Sequence, residues 1–156
     1  MTSTFIIEIH PRKAAYDPLA REVKAELLEA GEKPANAQVE TCRLFKIDGD
    51  FTPEQIEQAA QTLLVDSVVE TAFIETKESN KKKVKGVVID VWPKPGVTDP
   101  VGETVEKGLR DLGFRGDLKA TTATRYQFPK AKDARLPKNI IRKNQANELI
   151  HDIRVR

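Results

Sequence analysis

Cysteine occurs once in this 156-residue chain, as do tryptophan and methionine, and histidine occurs twice. A single Cys42 excludes an intrachain disulfide and suits a reducing cytoplasm. His10 and His151 stand apart, outside any paired metal-ligand spacing, and Cys42 has no ligand beside it in sequence, so no metal site is read. No glycine-rich loop ends in Gly-Lys-Ser/Thr, and no Gly-X-Gly-X-X-Gly follows an opening strand, so no nucleotide-phosphate cradle is legible. No apolar run nears the roughly 20 residues that span a bilayer. The start, "MTSTFIIEIHPRK", lacks the basic region and small-residue cleavage site of a secretion signal. No catalytic residue is assigned. Cys42 would need a base supplied by folding, and a small side chain packed in a strand accounts for it better.

Charge is abundant and unevenly placed. Residues 1–76 hold 7 basic and 14 acidic side chains, whereas residues 77–156 hold 19 and 10. A basic half suits nucleic acid or an acidic protein. The plainer account is mutual attraction of the halves, or faces that differ in solvation.

The chain also repeats itself. "YDPLAREVKAELLEAG" (Tyr16 to Gly31) returns 82 residues later as "TDPVGETVEKGLRDLG" (Thr98 to Gly113). The same offset sets "FIIEIHP" on "VVIDVWP" and Arg43 on Arg125. Units of this length bury little core alone, so two of them are expected to pack together.

Each copy predicts β-α-β-α-β. The β-branched runs Phe5–Ile9 and Val87–Trp92 open as strands. The prolines at 11 and 93 are expected to take the chain out of the ladder. Asp17 and Asp99 suit helix N-caps, each followed by proline at the first helical position. Leu19, Val23, Leu27 and Ala30 form one helical stripe, matched by Val101, Val105, Leu109 and Leu112. Gly31 and Gly113 fall where a left-handed cap is needed. Second strands are expected over 38–47 and 118–128, each long enough to bend into two. Second helices start at Thr52-Pro53 and near Pro137, the latter carrying Ile140, Ile141, Ala146, Leu149 and Ile150. Matching Leu63 to Leu149 and Asp66 to Asp152 gives a local offset of 86, as if the second copy had gained four loop residues. That offset sets the counterpart of Glu75 beyond Arg156, so "IRVR" resembles a strand barely begun, and truncation or continuation into a larger protein is expected, with a short edge strand as the competing account. The fold class is therefore α+β: two repeats, 1–78 and 84–156, with antiparallel sheets and helices on one face. The polar stretch Thr76–Lys85, with Lys81 to Lys83, is the expected linker.

Arg43, Lys46, Trp92 and Arg125 are the candidate partner contacts, Trp92 because it ends a strand beside proline and is the single tryptophan. Core packing is the competing account of Trp92. Lys81 to Lys83 and the basic loop Lys130–Lys143 could contact phosphates, with a solvated linker and loop as the default account. Asp17 and Asp99 are structural caps rather than a catalytic carboxylate pair.

The segment "WPKPGVTDPVGETVEKGLRDLGF" resembles the first strand and helix of the small PurS-type subunit of phosphoribosylformylglycinamidine synthase, with Lys94, Gly96, Val97, Asp99, Pro100, Gly102, Val105 and Leu109 on the family pattern. Copy one keeps Asp17, Pro18, Val23 and Leu27 but has Ala14, Ala15 and Ala20 in place of Gly, Val and Gly. "CRLFK" and "AAQTLLVDSVVETAFIE" resemble later parts of the same family. The resemblance implies a small α+β fold that dimerises through its sheet and helps join an ATP-using synthetase to an ammonia-supplying glutaminase in purine synthesis. A duplicated chain is similar to the pseudo-dimer at the front of the large single-chain synthases. It implies no catalytic residue and no cofactor on this chain, with ATP and Mg held by the partner synthetase. The implied partners are the synthetase and glutaminase, with a further homo-oligomer open. Nucleic acid and membrane are not expected. Two other readings stand beside it: a ligand-sensing domain using loops such as "PKPGVTDP", and an RNA-binding module, for which only Tyr126 and Phe128 are suitably placed aromatics.

Overall fold

The computed structural model describes residues 3–75 and 85–156. The expected linker 76–85, including Lys81 to Lys83, lies outside the described residues except for its last position. Six strands form one antiparallel sheet: β1 Ser3–Pro11, β2 Glu40–Gly49, β3 Glu70–Ile74, β4 Val87–Pro93, β5 Lys119–Phe128 and β6 His151–Val155, in the order β3-β1-β2-β5-β4-β6. Helices α1 Pro18–Glu29, α2 Pro53–Ala59, α3 Pro100–Asp111 and α4 Arg135–Ile140 alternate with them, α2 and α4 each running into a π-helical turn. The α+β class and the antiparallel sheet are as expected.

The order places equivalent strands symmetrically, as two packed repeats require. β2 and β5 meet at the centre, where Thr41 faces Tyr126, Phe45 faces Thr122, and Arg43 faces Thr124. Pairing within each repeat shows the correspondence. Ile7 faces Phe45 and Ile74; Ile89 faces Tyr126 and Val155. The offset is thus 82 through the first helix and 81 from the second strand onward. Two expectations are corrected. Arg125 corresponds to Leu44, and Arg43 to Thr124, so the two arginines are not equivalents. The offset of 86 also fails, and no four-residue gain exists. Asp66 corresponds to Asn147: the carbonyl of each accepts from the amide four residues on, and the side chain of each accepts from the amide two residues on. Leu149 and Ile150 therefore lie in an Asn-anchored turn rather than on a helix. β6 matches β3 in length, with Val155 on Ile74, and is not a strand barely begun.

The helix starts follow from the Asp-Pro pairs. Asp17 accepts from the Ala20 amide at 3.0 Å, and Asp99 from the Gly102 amide at 2.9 Å. Both helices end in a left-handed glycine, with Glu32 and Phe114 amides returning to Leu27 and Leu109 carbonyls. The buried stripes are Ala20, Val23, Leu27 and Gly102, Val105, Leu109, so Val101 and Leu112 face outward, contrary to expectation. β2 and β5 each run as one unbroken strand, and β1 and β4 continue through Pro11 and Pro93, which still pair with β3 and β6.

The first helix of each repeat packs into the other repeat's core. Val23 and Leu27 from α1 join Val87, Ile89, Tyr126, Phe128, Ile140 and Ile141. Val105 and Leu109 from α3 join Ile7, Ile9, Phe45, Ile47 and Ile56. These strand residues alternate onto one face of the sheet. The opposite face carries Ile6, Glu8, His10, Cys42, Leu44, Asp90, Trp92, Ala123 and Arg125, and no described helix packs there.

Candidate functional site

The face opposite the helices holds a buried cluster of charge. Adjacent strands bring Cys42, Arg125 and Asp90 into one row, because Cys42 faces Arg125 and Arg125 faces Asp90. Arg125, 5% exposed, donates to both Asp90 oxygens at 2.8 and 2.9 Å. Its Nη1 donates to Glu75 at 2.8 Å and lies 3.4 Å from Glu8. His10 Nε2 sits 2.8 Å from the other Glu8 oxygen. One guanidinium thus faces three carboxylates.

The titration of these groups follows from that arrangement. Burial opposes the charge on Arg125, yet Asp90 and Glu75 outweigh it and hold the guanidinium proton more tightly than usual. For Glu8, burial works upward, but His10, Glu75 and Arg125 together hold its carboxyl below the ordinary value. Glu75 moves the other way: burial and the neighbouring Glu8 prevail over Arg125 and push it up. Burial, reinforced by Glu8, pushes the Cys42 thiol well above its ordinary value, so it is a protonated thiol and not a poised nucleophile.

Folding also changes the standing of Cys42 and His10. Read along the chain, neither stands in a paired histidine or cysteine ligand spacing; in the sheet, the ligating atoms of Glu8, His10 and Cys42 all lie within 4.8 Å of one another. Alternation could have found the Glu8–His10 half, since residues two apart on a strand share a face. The partner Cys42 depended on register.

The four candidate contact residues do not form one site: Lys46 and Trp92 both line the cavity ahead of the second repeat's first helix, whereas Arg43 and Arg125 lie elsewhere. Arg43 is on the helix face at the centre of the sheet, donating to Glu70 at 2.8 Å and to the Leu64 carbonyl at 3.2 Å. Lys46 is half-buried on the opposite face. Trp92, 6% exposed, packs with Cys42, Leu44 and Ala123, and the Arg154 guanidinium lies 5.7 Å from its ring centre. Arg125 is interior. Asp17 and Asp99 are caps, and each has a second duty. Asp17 accepts from the Thr41 amide at 2.9 Å and hydroxyl at 2.6 Å, and Asp99 accepts from the Thr122 amide at 2.7 Å and hydroxyl at 3.0 Å. The carboxylate therefore ties helix to strand in both repeats.

The loops ahead of these helices differ. In the second repeat Lys94-Pro95-Gly96-Val97 makes a tight turn closed by the Val97 amide on the Lys94 carbonyl at 3.1 Å. Gly96 has φ +84°, which explains glycine there. The first repeat, with Ala14 and Ala15, makes a 3-10 turn instead. A cavity of about 480 Å³ lies beside the first loop, lined by Arg12, Lys13, Arg21 and Lys24. One of about 710 Å³ lies beside the second and is lined by both signs of charge, among them Lys94, Lys119, Glu103 and Asp152.

Residues 86–156 match a family model, PurS, described as phosphoribosylformylglycinamidine (FGAM) synthase. The second repeat is therefore similar to the PurS family over its whole set of elements. The match takes in all of β4, α3, β5, α4 and β6, and residues 1–85 lie outside it. No curated protein matches the chain. The PurS repeat links the chain to FGAM synthase and so to purine biosynthesis. No helix among the described residues is long and apolar enough to cross a membrane.

Proposed function

We propose that this chain is a PurS-like component of phosphoribosylformylglycinamidine synthase that holds synthetase and glutaminase parts together, with the two repeats acting as a pseudo-dimer. The observation that carries the reading is the family match over a whole repeat whose counterpart has the same element order. The chemistry of the described residues agrees with a non-catalytic part. The one thiol is buried and protonated, and the Asp-Pro carboxylates are consumed by caps and strand amides. ATP, Mg and glutamine turnover then belong to the partners, in the cytoplasm. Mixing the chain with its cognate synthetase and glutaminase should give glutamine-dependent formation of the amidine product. Full glutamine-dependent activity without the chain would overturn the assembly role.

The cavities beside the strand-to-helix loops favour a second reading, a metabolite-sensing domain. Both volumes fall in the range of small-molecule sites. Isothermal titration with nucleotides and amino acids separates the two: saturable heat from the isolated chain supports sensing, and its absence leaves assembly.

A further inference from the structure

We propose that Glu8, His10 and Cys42 form a binding site for a divalent transition metal of the zinc class, confined to the first repeat. The three side chains supply the oxygen, nitrogen and sulfur donors that zinc combines in proteins, and they converge from two neighbouring strands. Zinc bonds of about 2.0–2.3 Å need donor atoms somewhat less than 4 Å apart. Glu8 Oε1 and His10 Nε2 stand 2.8 Å apart and all three donors lie within 4.8 Å, so modest side-chain rotation on a fixed sheet would give that spacing.

Charge gives an independent argument. Among the described residues, Glu8, Glu75 and Asp90 are interior and face one guanidinium, three carboxylates to one cation. Buried charges of one sign call for a counter-ion or a proton. Arg125 makes its short contacts to Asp90 and Glu75, whereas Glu8 stands off at 3.4 Å. Glu8 can therefore turn to a cation without breaking a short bond of Arg125. The half-exposed His10, which also lines the cavity beside the first loop, offers the way in.

The second repeat supplies an internal comparison. The positions equivalent to Glu8, His10 and Cys42 are Asp90, Trp92 and Ala123, by the register of the sheet. Trp92 and Ala123 pack with Cys42 and Leu44 in one apolar cluster that spans the two repeats. The sheet thus accepts non-ligating residues at two of the three equivalent positions, so its register does not by itself call for histidine and cysteine there. Metal binding would displace the thiol proton that burial otherwise retains.

Titrating the full, tag-free chain with Co²⁺, followed by Zn²⁺ competition, tests the site. We expect one equivalent of Co²⁺ to bind with a thiolate-to-cobalt charge-transfer band that Zn²⁺ abolishes. Cys42→Ala, a change the second repeat already carries, should remove the band while far-ultraviolet circular dichroism stays unchanged. His10→Gln should weaken Co²⁺ binding at least about tenfold. Absence of a charge-transfer band at saturating Co²⁺, or a band that survives in Cys42→Ala, would overturn the proposal.

Discussion

Removing the Arg125 guanidinium would leave Glu8, Glu75 and Asp90 buried around an unfilled position, and breaking a buried ion network by deleting one partner costs about 3–5 kcal/mol. Arg125→Leu, which installs the residue found at the equivalent position 44, should lower the urea midpoint accordingly. Adding Asp90→Asn should recover part of the loss. An unchanged midpoint in Arg125→Leu would show that the network contributes nothing. Tyr126 gives the pH-dependent case. Burial, then Glu22 and Glu26, push its phenol up to about 12. The folded chain then keeps this proton to higher pH than the unfolded chain does. The contribution is complete below the ordinary tyrosine value of about 10 and declines as pH rises toward about 12, by about 2–3 kcal/mol in all. Denaturant titrations across that window should show the decline in the native chain and a flatter profile in Tyr126→Phe; parallel profiles would remove Tyr126 as the cause.

Helix α3 lies so close to β5 that a Cβ on Gly102 would stand 2.3 Å from the Ala120 carbonyl oxygen. Alanine favours a helix over glycine by about 1 kcal/mol, yet forcing atoms into a filled contact costs about 1–3 kcal/mol. Gly102→Ala should therefore destabilise, read as a lower midpoint in urea; a gain would mean that α3 moves freely on its strand. The same pair of elements shows what the sequence could tell. Asp-Pro announced both helix starts, and spaced apolar residues with a terminal glycine announced their length, because caps and stripes are local. The tie from Asp99 to Thr122 is non-local and had no signal. Nor had the loss of one residue between Glu32 and Thr41, where the copies barely resemble each other; it turned Arg125 from the apparent twin of Arg43 into that of Leu44. Charged strand residues normally mark a solvated face, so the interior cluster of Glu8, Asp90 and Arg125 was hidden. Cys42 and His10 became neighbours only through register.

At the scale of the molecule, the exchange of helices decides how independent the repeats are. β2 and β5 pair from Glu40 to Asp48, so separating the halves would expose two long central edges. It would also strip Val23 and Leu27 from the second repeat's core and Val105 and Leu109 from the first's. Units this small have little core to lose. Arg125 adds a polar dependence, because Glu8 and Glu75 come from one repeat and Asp90 from the other. Segments 1–78 and 84–156, expressed apart, should each be poorly folded at low concentration and should regain native circular dichroism and a cooperative transition when mixed. Self-association of one half is the other expected outcome, since a second copy can supply the missing strand and helix; sedimentation velocity distinguishes it. A monomeric half that unfolds cooperatively with the stability of the whole chain would show that each repeat closes its own core, and the shared sheet would then be a docking of two finished domains rather than one fold.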